Sequence, residues 1–196
     1  MDQSLRALLA ELEATGREND SRQQDWRKKM LNLDPETAQV LALLVRLGRR
    51  TRLLEIGTSN GYSTIWLAWA ARAGGGRVAS IERDPWKRDL ADANLRRAGL
   101  RETVELVAGG AAEAIANLPG PFDFVFFDAD RHNAPAHLAR LLPKLTPDAL
   151  LAADNTLSHA EEIAGYVAAV EALPGFDHVV LPVVKGLSLA HRSAAG

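Results

Sequence analysis

A doubly wound α/β sheet is the fold class this sequence predicts, and three observations predict it. From Arg52 onward short apolar runs alternate with longer amphipathic segments. The runs are almost continuously apolar, as strands of a parallel sheet covered on both faces must be. The chemically unusual residues stand just after the runs, where ligands bind in such sheets. A length of 196 residues fits one domain, read as a helical cap over residues 1–48 and a core over residues 49–192.

In the cap, Leu5, Leu8, Leu9 and Leu12 recur at helical spacing, and the segment Gly16-Arg17-Glu18-Asn19-Asp20 is expected to interrupt that helix. A polar stretch from Ser21 to Lys29 follows. Asp34, with Pro35 as first helical residue and Glu36 in the first turn, opens a second helix that runs through Leu47 and stops at Gly48. Strands are expected at Arg52–Ile56, Arg77–Ile81, Val104–Val107, Phe122–Phe127, Ala149–Ala153, His178–Leu181 and Leu187–His191. Helices are expected near Tyr62–Arg72, Pro85–Ala98, Ala111–Leu118, Ala134–Leu142 and Ala160–Leu173. Asp84 and Pro85 start the second of these, and Gly99 stops it.

Composition narrows the function. Twenty-three basic against 25 acidic side chains leave a formal charge of −2, so no general field collects nucleic acid or an anionic membrane. With 47% apolar and 24% charged residues the chain reads as an ordinary folded domain. The absence of cysteine excludes disulfides and thiolate metal sites. No apolar run approaches the roughly 20 residues that span a bilayer, and the first residues form an acidic amphipathic helix without a signal-peptide core, so a cytoplasmic location is expected.

The first strand runs into Glu55-Ile56-Gly57-Thr58-Ser59-Asn60-Gly61-Tyr62-Ser63, a glycine loop that opens a helix. Glycines let a ligand approach the backbone, and free amides at a helix start attract an anionic group. Glu82 ends the second strand, 25 positions after Gly57, where a carboxylate can accept both hydroxyls of a ribose. The loop has neither the G-x-G-x-x-G spacing of a dinucleotide site nor the lysine and Ser/Thr of a P-loop. A ligand with a ribose and a single carboxylate, such as S-adenosylmethionine, suits it better. At two later strand ends stand Asp128, and Asp154 with Asn155. Two carboxylates and an amide oxygen are hard donors that suit Mg²⁺ or a similar cation, although acids at strand ends also cap helices or bind substrate.

These residues resemble a known family, the class I S-adenosylmethionine-dependent O-methyltransferases of the catechol and caffeoyl-CoA type. The resemblance lies in Leu54–Ser63, Phe122–Asn133, Leu150–Asn155 and Lys185–Arg192. It implies a Rossmann-like methyltransferase sheet of seven strands with the last antiparallel. It also implies methyl transfer to a hydroxyl of a small phenolic or catechol-like acceptor, and a homodimer as in many relatives. By the resemblance Glu82 holds the ribose, Gly57, Thr58, Ser59, Gly61, Tyr62 and Ser63 surround the methionine portion, and Gly109 and Gly110 lie near the adenine, with Trp86 beside it. Glu55, Arg83 and Asp128 complete the cofactor set. Asp128, Asp154 and Asn155 match the ligands of a divalent cation, Mg²⁺ by preference, and Asp128 and Arg131 are the catalytic candidates.

The chain departs from the family at informative places. Where relatives carry Asp-Ala-Asp-Lys, this sequence reads Asp128-Ala129-Asp130-Arg131, and a guanidinium cannot accept a proton at working pH. His132 and His159 are then the candidate bases. Ala134 and Ser158 replace aromatic residues, and Lys185 stands where relatives have an aspartate. Two rival readings follow from the residues: a nicotinamide-dependent oxidoreductase, which Arg83 beside Glu82 would serve, and a catalytically silent nucleoside-binding module, which Arg131 would favour.

Overall fold

The structure, a computed structural model, describes residues 1–193. Its first helix, α1 (Gln3–Arg22), is capped by the Asp2 carboxylate, which accepts from the Leu5 amide at 2.8 Å. The expected interruption at Gly16–Asp20 does not occur, and tertiary contacts explain why. The Asn32 side chain lies so close over Gly16 that a Cβ there would come within 2.4 Å of its Nδ2, and that Nδ2 donates to the Leu12 carbonyl at 2.9 Å. The Asp20 carboxylate accepts from the Met30 and Leu31 amides at 2.6 and 2.8 Å. The polar segment thus receives the returning chain, and those bonds offset its weak helix propensity.

A 3₁₀ turn, Trp26–Lys28, leads to α2 (Pro35–Leu47), for which Asp34 and Pro35 give the expected start. The core then alternates β1 (Arg52–Ile56), α3 (Tyr62–Arg72), β2 (Arg77–Glu82), α4 (Pro85–Arg97), β3 (Val104–Ala108), α5 (Ala111–Asn117), β4 (Phe122–Phe127), α6 (Ala134–Leu141), β5 (Leu145–Asp154), α7 (Ala160–Glu171), β6 (Phe176–Leu181) and β7 (Leu187–Arg192). Two strands begin earlier than the sequence suggests. The β5 strand starts at Leu145, before Pro147, because its register against β4 breaks between Phe122 and Phe124, and a break tolerates proline. The β6 strand starts at Phe176, which pairs with Arg192 at the far end of β7.

The seven strands are ordered β3-β2-β1-β4-β5-β7-β6. Strands β1 to β5 pair in parallel, and β7 is antiparallel to both β5 and β6, as the resemblance implies. Side chains alternate across the sheet with period two. Leu53, Phe124 and Phe126 join a core shared with α1, α2 and α3, while Leu54, Val125 and Phe127 join one shared with α5, α6 and α7. Strand order reverses between β1 and β4, and a crevice opens there beyond the carboxyl ends.

Candidate functional site

The glycine loop turns at the end of β1. Gly57 has φ +106°, and a Cβ on it would lie 2.8 Å from the Ala129 Cβ and 3.2 Å from the Asp128 backbone. Only glycine lets the loops after β1 and β4 come this close. The Asp128 amide donates to the Ile56 carbonyl at 3.0 Å, which carries the β1–β4 pairing to the mouth of the crevice.

Beneath the loop lies Glu55, wholly buried, its carboxylate accepting from the hydroxyls of Ser63 (2.6 Å), Thr64 (2.5 Å) and Ser80 (2.5 Å). Burial pushes its pKa up to about 7 against the lowering effect of those bonds. Thr58 Oγ1 lies 2.6 Å from Ser80 Oγ, and Tyr62 is buried. Glu55 and Ser63 thus pin α3 to β1, Thr58 is tied to β2 through Ser80, and Glu55, Thr58, Gly61, Tyr62 and Ser63 do not line the crevice.

The crevice has a volume of about 830 Å³, within the range that takes a cofactor-sized ligand. Gly57 and Ser59, Glu82 and Arg83 after β2, Gly109 and Gly110 after β3, and Asp128 after β4 all line it. Glu82 accepts from the Ser59 amide and the Asp84 amide, both at 2.9 Å, so its carboxylate is held between the glycine loop and the start of α4. At Gly109 (φ +119°) and Gly110 a Cβ would meet nothing within 4 Å, leaving that wall open to a flat group. Trp86 is 45% exposed at the start of α4 and does not line the crevice.

The cap adds residues that sequence reasoning missed. Trp26, Met30 and Leu31 form one wall, and Ser59 Oγ donates to the Met30 carbonyl at 2.7 Å. A lone tryptophan, 59% exposed within a polar run, was the available signal. Leu31, Ser59 and Asp130, all lining the crevice, hold left-handed φ values of +51°, +48° and +56°. Such backbone persists where the surroundings fix it.

At the end of β5, Asp154 and Asn155 are not among the residues that line the crevice; Asp154 is buried with its Oδ1 lacking a hydrogen-bond partner, and Asn155 takes φ +68°. Burial pushes the Asp154 carboxyl up to about 6. Burial first, and the Asp154 charge second, push Asp128 well above the carboxylate range, against the lowering influence of Lys185 and Arg131. A buried acid with one oxygen unpartnered, and a half-buried acid whose ionisation it opposes, offer hard oxygen donors that, with the Asn155 amide oxygen, fit a divalent cation. Among the described residues no group of three or more His, Cys, Asp or Glu side chains is gathered for a metal.

Arg131 is held as a fork: Nε donates to Glu162 Oε2 at 2.8 Å, Nη2 approaches the same oxygen at 2.8 Å, and Nη1 donates to Asn155 Oδ1 at 3.2 Å. His132 lines the crevice, whereas His159 Nδ1 lies 2.9 Å from Ser158 Oγ and stands outside it. A third histidine, His137, is buried with Nε2 3.0 Å from Asp130 Oδ2. Burial opposes ionisation of Asp130, but the bonds from Asn133 and His137 outweigh it and hold the carboxyl below its ordinary value.

Comparison with known proteins meets the same architecture. The family model described as O-methyltransferase matches residues 5–192. A catechol O-methyltransferase of Mycobacterium tuberculosis is 39% identical over 123 residues, 62% of this chain and 56% of that protein. The chain thus spans little more than half the length of that relative. Among solved structures, cofactor-bound Rv0187 from MTB superposes with TM-score 0.81 at 30% identity, covering 100% of this chain and 92% of the other. An O-methyltransferase from Bacillus cereus in complex with SAH gives TM-score 0.80 at 28% identity, covering 98% and 92%. Sheet order, glycine loop and family match agree, and the chain belongs to the O-methyltransferase family.

Proposed function

We propose that this protein is an S-adenosylmethionine-dependent O-methyltransferase that acts on a hydroxyl of a small phenolic or catechol-like acceptor, with a divalent cation, Mg²⁺ by preference, at Asp128, Asp154 and Asn155. The observation that supports the reading is one crevice lined by both Glu82, a carboxylate suited to a ribose at the end of β2, and Asp128, the first acid of the proposed cation set at the end of β4. Relatives solved with cofactor or SAH support the cofactor.

An aromatic hydroxyl with pKa near about 10 is only about one part in a thousand ionised at neutral pH. When bound, the cofactor supplies a sulfonium methyl and the cation lowers the hydroxyl pKa. The chain does the rest. Glu82, already oriented by two amides, accepts from the ribose hydroxyls, and Gly109 and Gly110 leave backbone open around the nucleoside. Trp26 and Leu31 give the crevice an apolar wall on the cap side. Arg131 cannot take the proton; it orients the Asn155 amide and adds positive charge beside the developing phenolate. His132 stands in the crevice where a proton acceptor is needed. The whole chain serves as one methyltransferase domain. We place it in the cytoplasm without nucleic-acid or membrane partners, consistent with the charge balance and with the lack, among described residues, of a helix long and apolar enough to cross a membrane. A homodimer through the cap would cover Leu43 and Leu47 of α2, which are 56% and 72% exposed.

Calorimetric titration with S-adenosylmethionine and its demethylated product tests the reading. Both are expected to bind, and Glu82→Ala to weaken them by about 1–3 kcal/mol through loss of charge-assisted hydrogen bonds and release of the Ser59 amide. Unchanged affinity in that variant rejects the ribose assignment, and binding of NAD in place of both nucleosides rejects the function. Arg131→Ala is expected to slow turnover roughly 10- to 100-fold, the scale of one partly exposed electrostatic contact. The pH–rate profile checks the proton acceptor: its ascending limb should move in His132→Gln and stay in place in His159→Gln.

A further inference from the structure

Lys185 is a positively charged group beside the acid pair that the proposed mechanism leaves unused. The fold fixes it there. The amides of Leu157 and Ser158 both donate to the Lys185 carbonyl, at 2.9 and 3.1 Å, and the Thr156 amide donates to the Gly186 carbonyl at 3.1 Å. Gly186 (φ +86°) allows this approach, since a Cβ there would lie 2.6 Å from Thr156 Oγ1. The next residue, Leu187, opens β7 directly opposite Asp154. The turn before β7 is therefore stapled to the segment that carries Asp154 and Asn155. The Lys185 ammonium lies 3.0 Å from Asp34 Oδ2 at the start of α2, which anchors it from the cap side.

We propose that Lys185 is a resident counter-charge of the Asp128–Asp154 pair that weakens divalent-cation binding there, with Asp34 as the residue that positions its ammonium. The inference rests on the cation reading given above. A dication drawn to the Asp128 and Asp154 carboxylates meets the repulsion of the Lys185 ammonium, whose position is fixed by Asp34; with the side chain 41% exposed, solvent screens that repulsion, and the change in affinity is on the order of tenfold. The influence of Lys185 on both acids accords with this placement. A site so tuned holds its ion loosely until an acceptor oxygen adds a further ligand, because ligand charge count sets affinity for hard cations.

The test is calorimetric titration of the full chain, saturated with the demethylated cofactor product, with Mn²⁺ alone. Lys185→Met is expected to bind Mn²⁺ roughly tenfold more tightly than the parent, and Lys185→Arg to stay within about threefold of it. The double variant Asp34→Asn with Lys185→Met leaves no stranded acid under the cap and should bind more tightly than Asp34→Asn alone, so that pair carries the test if the single variant fails to fold. Equal Mn²⁺ affinity in each Met variant and its Lys185-containing counterpart, lost in Asp154→Ala, overturns the role of Lys185 and leaves the cation site standing. If neither the parent nor any Lys185 variant binds Mn²⁺, the cation reading and this inference fall together.

Discussion

Asp154→Ala is expected to reduce methyl transfer to a vicinal-diol phenol by at least about 100-fold while leaving affinity for the demethylated cofactor product within about threefold of the parent. The separation of effects follows from the sheet. Glu82 ends β2 and Asp154 ends β5, three strands apart in the order β2-β1-β4-β5, which at roughly 4.8 Å per strand is about 14 Å. Asp154 makes no side-chain contact with the glycine loop, and its Oδ1 has no partner to strand. Excess chelator should mimic the variant, and Mg²⁺ or Mn²⁺ should restore the parent but not the variant. Full turnover in chelator would reject the cation site and leave Asp128 and Asp154 as substrate-binding or structural acids. A variant that loses nucleoside affinity in parallel with activity would show that the two sites are not independent.

Glu55→Gln is expected to remove much of the fall in folding stability between about pH 5 and pH 8. Unfolded, this carboxyl ionises at its ordinary 4.5; folded, burial holds it protonated up to about 7. Between those values the folded chain keeps a proton that the unfolded chain releases, so stability declines as pH rises from 4.5 through about 7 and levels off above. The difference corresponds to about 3 kcal/mol as an order of magnitude, large against the total stability of a domain of this size. Glutamine keeps the shape and can still accept from Ser63, Thr64 or Ser80 without the ionisation. Denaturant unfolding of parent and variant at pH 5, 6, 7 and 8 measures the two slopes. Asp128 and Asp154 leave a residual decline of the same sign, so the informative quantity is the difference between the curves. Parallel curves would mean that Glu55 is ionised throughout and that its hydroxyl partners outweigh burial.

Most elements were legible because their signals are local. Pro35 after Asp34, and Pro85 after Asp84, mark helix starts whatever lies around them, and both helices begin there. The apolar runs Leu53–Ile56 and Phe124–Phe127 are long enough to be strands and too short to be helices, and they became β1 and β4. The glycine loop and the acids at strand ends were readable for the same reason: in a parallel sheet the position after a strand is itself the site. The reversal of β7 was legible only through family resemblance, since an edge pairing leaves no periodicity of its own.

Tertiary structure alone decided the rest. Gly16 continues a helix because Asn32 covers it; Trp26 becomes a wall of the crevice because Asp20 draws the Met30 and Leu31 amides back. Arg131 is tied to Glu162 and Asn155, His137 rather than either neighbouring histidine meets Asp130, and Lys185 reaches Asp34 from the opposite end of the chain. Each of these contacts depends on where two distant segments meet once the sheet has closed. Propensity and periodicity are set by neighbours within a turn or two, so they specify the strands, the helices and the loop that ends β1. Which charge faces which, and how deeply each acid is buried, is fixed only when strand order brings the segments together, and burial first, with those pairings second, sets the protonation of the acids on which the proposed chemistry depends.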